Sequence, residues 1–347
     1  MTFSAENADE FTINIAGQVR AGFYAIDDDD GVGAPAITDN SNGFDVWAAR
    51  LRLSGNVFNK NITYFLQGDF AGDSAANDRA AGLVDGWAGW QMSDSVNLRL
   101  GQQKMRSSLQ ADASLSDNVG EMAWSSIATS WFAGNRSTGA LLEGNSGNVN
   151  WHFGAMNNST AGVDSAADPI SAAPPTAGGQ RNAGGENELN YTLGVSVGSD
   201  SGNSESWTEG DLAHAGNSSW ISGASILLIN EGADEDSSIN LYAGWKSGSG
   251  VAAQAEIFIR EDETYDSEGF YGQLSYTMPS TEGVQYGGAA RYSMLDVDGA
   301  EVSEISLGVN AYYHEHALKS QLQVSSVEAD RLDGDIARFD LLFTLMF

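Results

Sequence analysis

The sequence predicts an all-β protein, a transmembrane antiparallel β-barrel of sixteen strands. Along most of the chain, apolar residues alternate with polar ones at period two, which is typical of strands with one apolar and one wetter face. The connections between these segments alternate between short and long. Short turns on one side and long loops on the other are the layout of an outer-membrane barrel.

The last strand, residues 336–347, shows the alternation most clearly. One face is apolar, and the other is mixed with polar members. The apolar face consists of Phe339, Leu341, Phe343, Leu345 and Phe347, and the mixed face of Arg338, Asp340, Leu342, Thr344 and Met346. In a bilayer the apolar face meets hydrocarbon and the other face meets water. The last strand of a soluble sandwich would alternate similarly, so the rest of the chain must decide.

The other segments repeat this pattern. The expected strands are 11–24, 44–58, 62–70, 84–92, 96–103, 138–143, 148–156, 189–198, 220–230, 239–246, 252–260, 270–278, 284–294, 303–313 and 318–327. Short connections at 93–95, 145–147, 247–250, 279–283 and 314–317 alternate with longer ones, including 105–135 and 157–188. Residues 199–219 do not fit this rhythm. They form either a long turn or an additional hairpin, which would make eighteen strands.

Large aromatic residues are expected on the outer face near strand ends, where barrels carry aromatic girdles at the membrane interfaces. These residues are Trp47, Trp90, Trp151, Trp220, Trp245, Tyr276, Tyr286, Tyr292 and Tyr313.

Composition excludes several other classes of protein. The chain has 347 residues, no Cys and a formal net charge of −31, so neither a disulfide scaffold nor nucleic-acid binding is expected. There is no apolar run long enough for a membrane helix. Residues 1–10 are polar, as expected of the periplasmic N-terminal segment of a mature exported protein. Apart from His314 and His316 in a presumed turn, the four His residues show no catalytic or metal-binding spacing, so we expect neither an enzyme nor a bound cofactor.

Acidic and basic residues are segregated in the sequence. Acids crowd the long connections, whereas bases such as Arg20, Arg50, Arg52 and Arg99 occupy the wetter strand faces. The strand bases would either set the selectivity of a pore or pair with inward carboxylates, namely Asp69, Asp85, Glu143, Glu256 and Asp340. The loop acids would form a repulsive solvated surface or loosely bridge divalent cations to lipopolysaccharide. Residues 27–31 (DDDDG) have the start of a calcium loop but lack its twelfth-position Glu.

Three early segments, together with residues 134–139 (GNRSTG), carry a family resemblance. They are residues 47–55 (WAARLRLSG), 83–90 (LVDGWAGW) and 98–104 (LRLGQQK). In order and spacing they resemble the second, fourth and fifth strands of the phosphate-selective porin O and P family.

This resemblance implies a homotrimer of sixteen-stranded barrels, each with its long third loop folded into the lumen as a constriction. Here that loop is residues 105–135, within a single barrel domain spanning 1–347. The candidate pore-lining residues are Arg20, Arg50, Arg52, Arg99, Arg106, Asp112, Asp117 and Glu121. Phe343, Leu345 and Phe347 of the last strand are the candidate signal for the barrel-assembly machinery.

We therefore expect a porin in the outer membrane of a Gram-negative bacterium, surrounded by lipid and lipopolysaccharide, for passive diffusion of small hydrophilic solutes. A cation preference is expected because the third loop carries acids where the family has dense bases. One alternative is an anion- or phosphate-selective porin. Another is a structural or adhesive surface barrel with a closed lumen.

Overall fold

The computed structural model describes residues 2–4, 11–28, 41–71, 82–117, 120–132, 136–157, 189–199, 202–231, 234–261, 266–280, 283–329 and 335–347. Its strands are β1 Thr2–Ser4, β2 Thr12–Asp28, β3 Ser41–Val57, β4 Asn59–Asp69, β5 Gly82–Ser93, β6 Val96–Lys104, β7 Arg136–Ser146, β8 Val149–Asn157, β9 Leu189–Gly198, β10 Ser219–Glu231, β11 Asp234–Lys246, β12 Val251–Glu261, β13 Ser267–Thr277, β14 Gln285–Val297, β15 Ala300–His314, β16 Leu318–Ala329 and β17 Asp335–Met346.

Strands β2 to β17 form a closed antiparallel barrel of sixteen strands, which confirms the predicted fold class. Each strand pairs with the next, and β17 closes the ring by pairing with β2, with Leu341 opposite Phe23. The short β1 pairs with the start of β2. Strand β9 pairs directly with β10. The described residues between these two strands, 199 and 202–218, contain no strand, so this connection is a long turn and the eighteen-strand alternative is wrong.

The two faces of the strands differ as the alternation predicts. In β9, Leu193 is 54% exposed on the outer face, whereas the neighbouring Thr192 on the inner face is fully buried. The outer face is apolar because it meets hydrocarbon, and the inner face carries polar side chains that bond to one another.

The terminal strand follows the same rule and closes the barrel with its last residue. Leu341 and Phe343 are exposed outward, and Asp340 is fully buried inward. The backbone of Phe347 exchanges two hydrogen bonds with Gly17, at 2.8 and 3.0 Å. A Cβ on Gly17 would lie 2.4 Å from Cζ of Phe347, so glycine leaves the space that the terminal ring occupies.

Most of the predicted outward aromatics lie on the outer face, and many of them lie at the short-turn rim. Trp220 pairs across strands with Trp245, and both are nearly half exposed. Trp47 is an exception and corrects the sequence prediction. A β-bulge opposite Arg20 turns the Trp47 side chain inward. There its ring packs edge-on against Trp124, with 5.3 Å between the ring centres.

Two segments outside the strands contribute most of the remaining described structure. The inner segment comprises residues 105–117 and 120–132, between β6 and β7, and contains helices α1 (Leu109–Asp117) and α2 (Ile127–Phe132). The inner turn comprises residues 202–218, between β9 and β10, and contains a 3₁₀ turn, Ser204–Ser206. Within the described residues, no helix is long and apolar enough to cross a membrane.

Candidate functional site: the charged inner wall

Carboxylates of the barrel wall hold backbone N–H groups of the inner segment. The Glu256 carboxylate on β12 accepts hydrogen bonds from the N–H groups of Leu109 (3.0 Å) and Gln110 (2.7 Å), at the first turn of α1. It also accepts from Ser108 Oγ and Tyr271 Oη. An anion at this position satisfies unpaired helix N–H groups and interacts favourably with the helix dipole. Glu256 therefore anchors the start of α1 to the wall.

Basic residues of the wall hold the carbonyl groups of the same segment. Arg20 on β2 donates to the Ala123 carbonyl at 2.5 Å, and Arg291 on β14 donates to the Trp124 carbonyl at 2.7 Å. On β16, Lys319 donates to the Gly120 carbonyl. Because β12, β14, β16 and β2 lie along one continuous arc of the barrel, these contacts hold the segment against that side of the inner wall. The strand bases thus bind backbone as well as carboxylates.

The inner turn joins the inner segment to the wall at β13 through Glu209, a residue that the sequence analysis did not single out. Its carboxylate accepts hydrogen bonds from Gln110 Nε2 (3.0 Å), the Glu121 N–H (2.9 Å) and Gln273 Nε2 (3.0 Å). Glu209 is 3% exposed. The unusual length of residues 199–219 was the sequence signal that could have indicated an inward-folded turn, since a solvent-exposed barrel turn needs only a few residues.

Ion pairs within strands and between nearby strands follow the inner face. Arg50 and Asp69 approach to 2.8 Å, Arg136 and Asp85 to 2.9 Å, Arg338 and Asp340 to 2.8 Å, and Arg291 and Glu304 to 2.8 Å. Of the carboxylates named from the sequence, Asp69, Asp85, Glu143 and Asp340 pair with Arg residues, and Glu256 caps a helix instead. The structure therefore supports the pairing alternative for many of the strand bases.

Four charged residues from three parts of the chain form one cluster. Arg99 on β6 contacts Glu205 of the inner turn through two N–O distances of 3.0 Å, and Glu143 on β7 at 2.7 Å. Arg106 of the inner segment contacts the same two carboxylates, at 2.5 Å for Glu205 and 2.7 Å for Glu143. Burial alone would raise the pKa of Glu205, but Arg106 and Arg99 outweigh it and hold that pKa well below its usual range.

The predicted constriction residues of the inner segment are buried, which corrects the expectation that they face water. Arg106, Asp112 and Glu121 are 5%, 6% and 1% exposed. Burial raises the pKa of Asp112 to about 6 and that of Glu121 to about 7, with Glu209 adding to the second shift. The side chain of Asp117 lies outside the described residues.

The water-accessible part of the inner face lies on strands β3 to β6. Arg52, Phe65, Trp87 and Arg99 are half-buried there. The rings of Phe65 and Trp87 stack at 5.4 Å, and the guanidinium groups of Arg52 and Arg99 lie 6.0 and 4.7 Å from the centres of Phe65 and Trp87. Cations over aromatic faces are attracted by the ring quadrupole. This stack fixes two arginines of the predicted pore lining.

No group of metal-ligating side chains occurs within the described ranges. Most of the acidic run with a partial calcium-loop pattern, residues 29–31, lies outside those ranges.

Comparison with known families decides the identity of this barrel. The model of the phosphate-selective porin O and P family matches residues 13–335. The chain belongs to the phosphate-selective porin O and P family. The resemblance found in the sequence is thereby confirmed, and so is the location, since these barrels are outer-membrane proteins of Gram-negative bacteria. As a porin of this family, the chain is a channel for passive diffusion.

Solved structures similar to this porin share its fold at low sequence identity. An anion-selective porin from Comamonas acidovorans is 14% identical with a TM-score of 0.60, over 96% of this chain and 99% of that one. The outer-membrane channel DcaP of Acinetobacter baumannii is 12% identical with a TM-score of 0.63, over 99% of both chains. The trimer form of OmpT from Vibrio cholerae is 9% identical with a TM-score of 0.54, over 98% of this chain and 100% of that one. No curated protein sequence matches the chain.

Proposed function

We propose that this porin admits small hydrophilic solutes with a modest preference for anions, in place of the cation preference expected from the loop acids. The family and the anion-selective neighbour both favour anions. The observation that carries the proposal is the relative exposure of the wall ion pairs. At three of the four wall pairs described above the arginine side chain is more exposed than its carboxylate: 13% against 9% for Arg50–Asp69, 15% against 8% for Arg136–Asp85 and 13% against 0% for Arg338–Asp340. At Arg291–Glu304 the order is reversed, at 0% against 6%.

A passing anion would meet these guanidinium groups before it meets the carboxylates. The acids of the long loops act from a distance, and salt screens them beyond a Debye length of about 10 Å at 0.1 M ionic strength. Charges on the narrow inner wall are screened less because little water separates them from the solute. The wall therefore decides selectivity, and Arg50, Arg52 and Arg99 are its proposed pore-lining bases.

Reversal potentials across a planar bilayer in a potassium chloride gradient test this proposal. We expect a chloride-to-potassium permeability ratio above one, reduced by Arg50→Ala and by Arg52→Ala. Lys60→Ala is the matched control, since it removes a base from an exposed position at the start of β4. A cation-selective wild type that is unaffected by either arginine substitution would show that the loop acids dominate.

A structural barrel with a closed lumen is a second candidate, favoured by the packing of one part of the inner face. There the inner segment and inner turn cover the wall so fully that Tyr271, Tyr312 and Lys319 are at most 1% exposed. A barrel of this class would insert into bilayers in folded form without conducting ions.

The assembly is proposed to be a homotrimer. The family resemblance and the trimer form of OmpT support this, since that protein has the same fold. Light scattering in detergent should give the protein mass of three chains. A mass of one chain would remove the trimer and leave the barrel intact.

The C-terminal residues Phe343, Leu345 and Phe347 are proposed as the signal for the barrel-assembly machinery. All three side chains are exposed on the outer face, with Phe347 at 68%. Deletion of Phe347 should lower the amount of folded barrel in the outer membrane of cells. Wild-type amounts after the deletion would reject this role.

A further inference from the structure

The cluster of Arg99, Arg106, Glu143 and Glu205 has the form of an occupied anion site. Arg99 binds the Glu205 carboxylate with two N–H groups, and Nη2 of Arg106 lies 2.5 Å from Oε2 of the same carboxylate. This two-point geometry is the one that guanidinium groups offer to free carboxylates. Trp87 supports the Arg99 guanidinium at 4.7 Å.

The two carboxylates of the cluster are attached to the protein differently. Glu143 is part of the wall, on β7, and accepts a further hydrogen bond from Asn97 at 2.8 Å. Glu205 comes from the inner turn and lies within the 3₁₀ turn that Asn203 caps. Its side chain is 31% exposed, against 16% for Arg99 and 6% for Arg106. Glu205 therefore covers the water-facing side of both arginines.

The two arginines also retain unused hydrogen-bonding capacity. The Nε atoms of Arg99 and Arg106 are buried and have no hydrogen-bond partner in the part of the chain that the structure describes. A site with buried donors still unpaired can bind a second oxyanion or exchange one carboxylate for another.

We propose that Arg99 and Arg106 form a binding site for small carboxylate anions in the channel, and that Glu205 is a tethered carboxylate that occupies this site and limits the anion preference. This proposal rests on the proposed function, because a site that limits anion preference matters only in a channel that admits anions. With Glu205 in place, the cluster of two Arg and two Glu residues is neutral. Without the Glu205 charge, the same wall is positive at its water-facing side.

The other charged groups near the cluster do not cancel this effect. Asp112 of α1 interacts with Arg106 and accepts a hydrogen bond from Ser204 at 3.2 Å. Asp112 is 6% exposed, so a passing ion does not contact it. His152 on β8 faces the carbonyl of Arg106 at 3.2 Å. Lys104 is occupied with the carbonyls of Ala111 and Asp112.

Glu205→Gln keeps the shape of the side chain and removes its charge. One unit charge acting across several ångströms of water changes the local concentration of a monovalent ion by about threefold. We therefore expect the chloride-to-potassium permeability ratio to rise at least about threefold over wild type. Glu268→Gln removes the same charge from an exposed position on β13 and should leave the ratio unchanged.

Glu205→Ala vacates the site and allows a direct binding test with acetate. Added acetate should reduce the single-channel chloride current of Glu205→Ala at concentrations that leave wild type unaffected, because the tethered carboxylate competes at an effective concentration in the millimolar range. The double variant Arg99→Ala with Glu205→Ala should lose this sensitivity. Gel migration before and after heating reports whether each variant is folded.

The results separate the two proposals. The sign of the wild-type reversal potential tests the proposed anion preference, whereas the difference between wild type and Glu205→Gln tests the role of Glu205. An unchanged permeability ratio in folded Glu205→Gln would overturn the inference. So would equal acetate sensitivity of Glu205→Ala and wild type.

Discussion

Replacing Glu256 with Ala should release the inner segment from the wall without dismantling the barrel. The side chain is 1% exposed, and its carboxylate is the acceptor for two N–H groups at the start of α1, from Leu109 and Gln110. After truncation, those N–H groups face the inner wall without an acceptor. The strand ladder around residue 256 is made by backbone groups and would persist.

The magnitude follows from the lost hydrogen bonds. Leaving one buried donor unsatisfied costs about 1–3 kcal/mol, so two N–H groups cost about 2–6 kcal/mol. Since 1.4 kcal/mol is a factor of ten, even the lower figure raises the detached population of the segment about thirtyfold. Glu209 and the basic residues still hold other parts of it, so we expect partial and reversible detachment.

Single-channel recording is the most direct assay. Glu256→Ala should show a larger mean conductance and more current noise than wild type, and protease added to the folded protein should cleave within residues 105–132 more readily. Glu261→Ala is the matched control, because Glu261 lies on the same strand and is exposed. Steady wild-type currents and unchanged protease resistance in folded Glu256→Ala would refute the anchoring role.

Two further predictions concern closure and pH. Gly17→Ala should lower the temperature at which the barrel unfolds on a heat-modifiability gel, because the new Cβ would lie 2.4 Å from the Phe347 ring. Gly272→Ala is the control and should leave that temperature unchanged, because a Cβ at Gly272 would meet no atom within 4 Å. Equal unfolding temperatures of the two variants would contradict this prediction. Burial and Glu209 raise the pKa of Glu121 from 4.5 to about 7, so the folded state binds more protons than the unfolded state between these pH values. The unfolding temperature should therefore fall from pH 5 to pH 8, less steeply in Glu121→Gln; identical pH profiles would exclude this contribution.

The barrel could be predicted from the sequence because the bilayer imposes a simple rule on every strand. Alternation at period two is strict where one face meets hydrocarbon, as in residues 336–347. The strands of the structure extend further at the loop side, and β11 starts at Asp234 where the alternation predicts Ile239. Beyond the hydrocarbon both faces are wet, so the alternation disappears there although the backbone pairing continues.

The interior was predicted less well, because its contacts join parts of the chain that are far apart. The pairing of Arg50 with Asp69 lies between neighbouring strands and follows from inward charges of opposite sign. Glu205 and Glu209 could not be placed, since a turn that folds inward has no periodic pattern. The inward rotation of Trp47 comes from a bulge, where one extra residue changes which face a side chain occupies.

We propose that the inner segment and the inner turn leave a water-filled, charged path along the wall of Arg50, Arg52 and Arg99. Single-channel recording of the purified, folded wild type in a planar bilayer tests this claim most directly. We predict discrete current steps that vary linearly with voltage and increase with salt concentration. Heat-modifiable barrels that insert into the bilayer but give no current steps would contradict it.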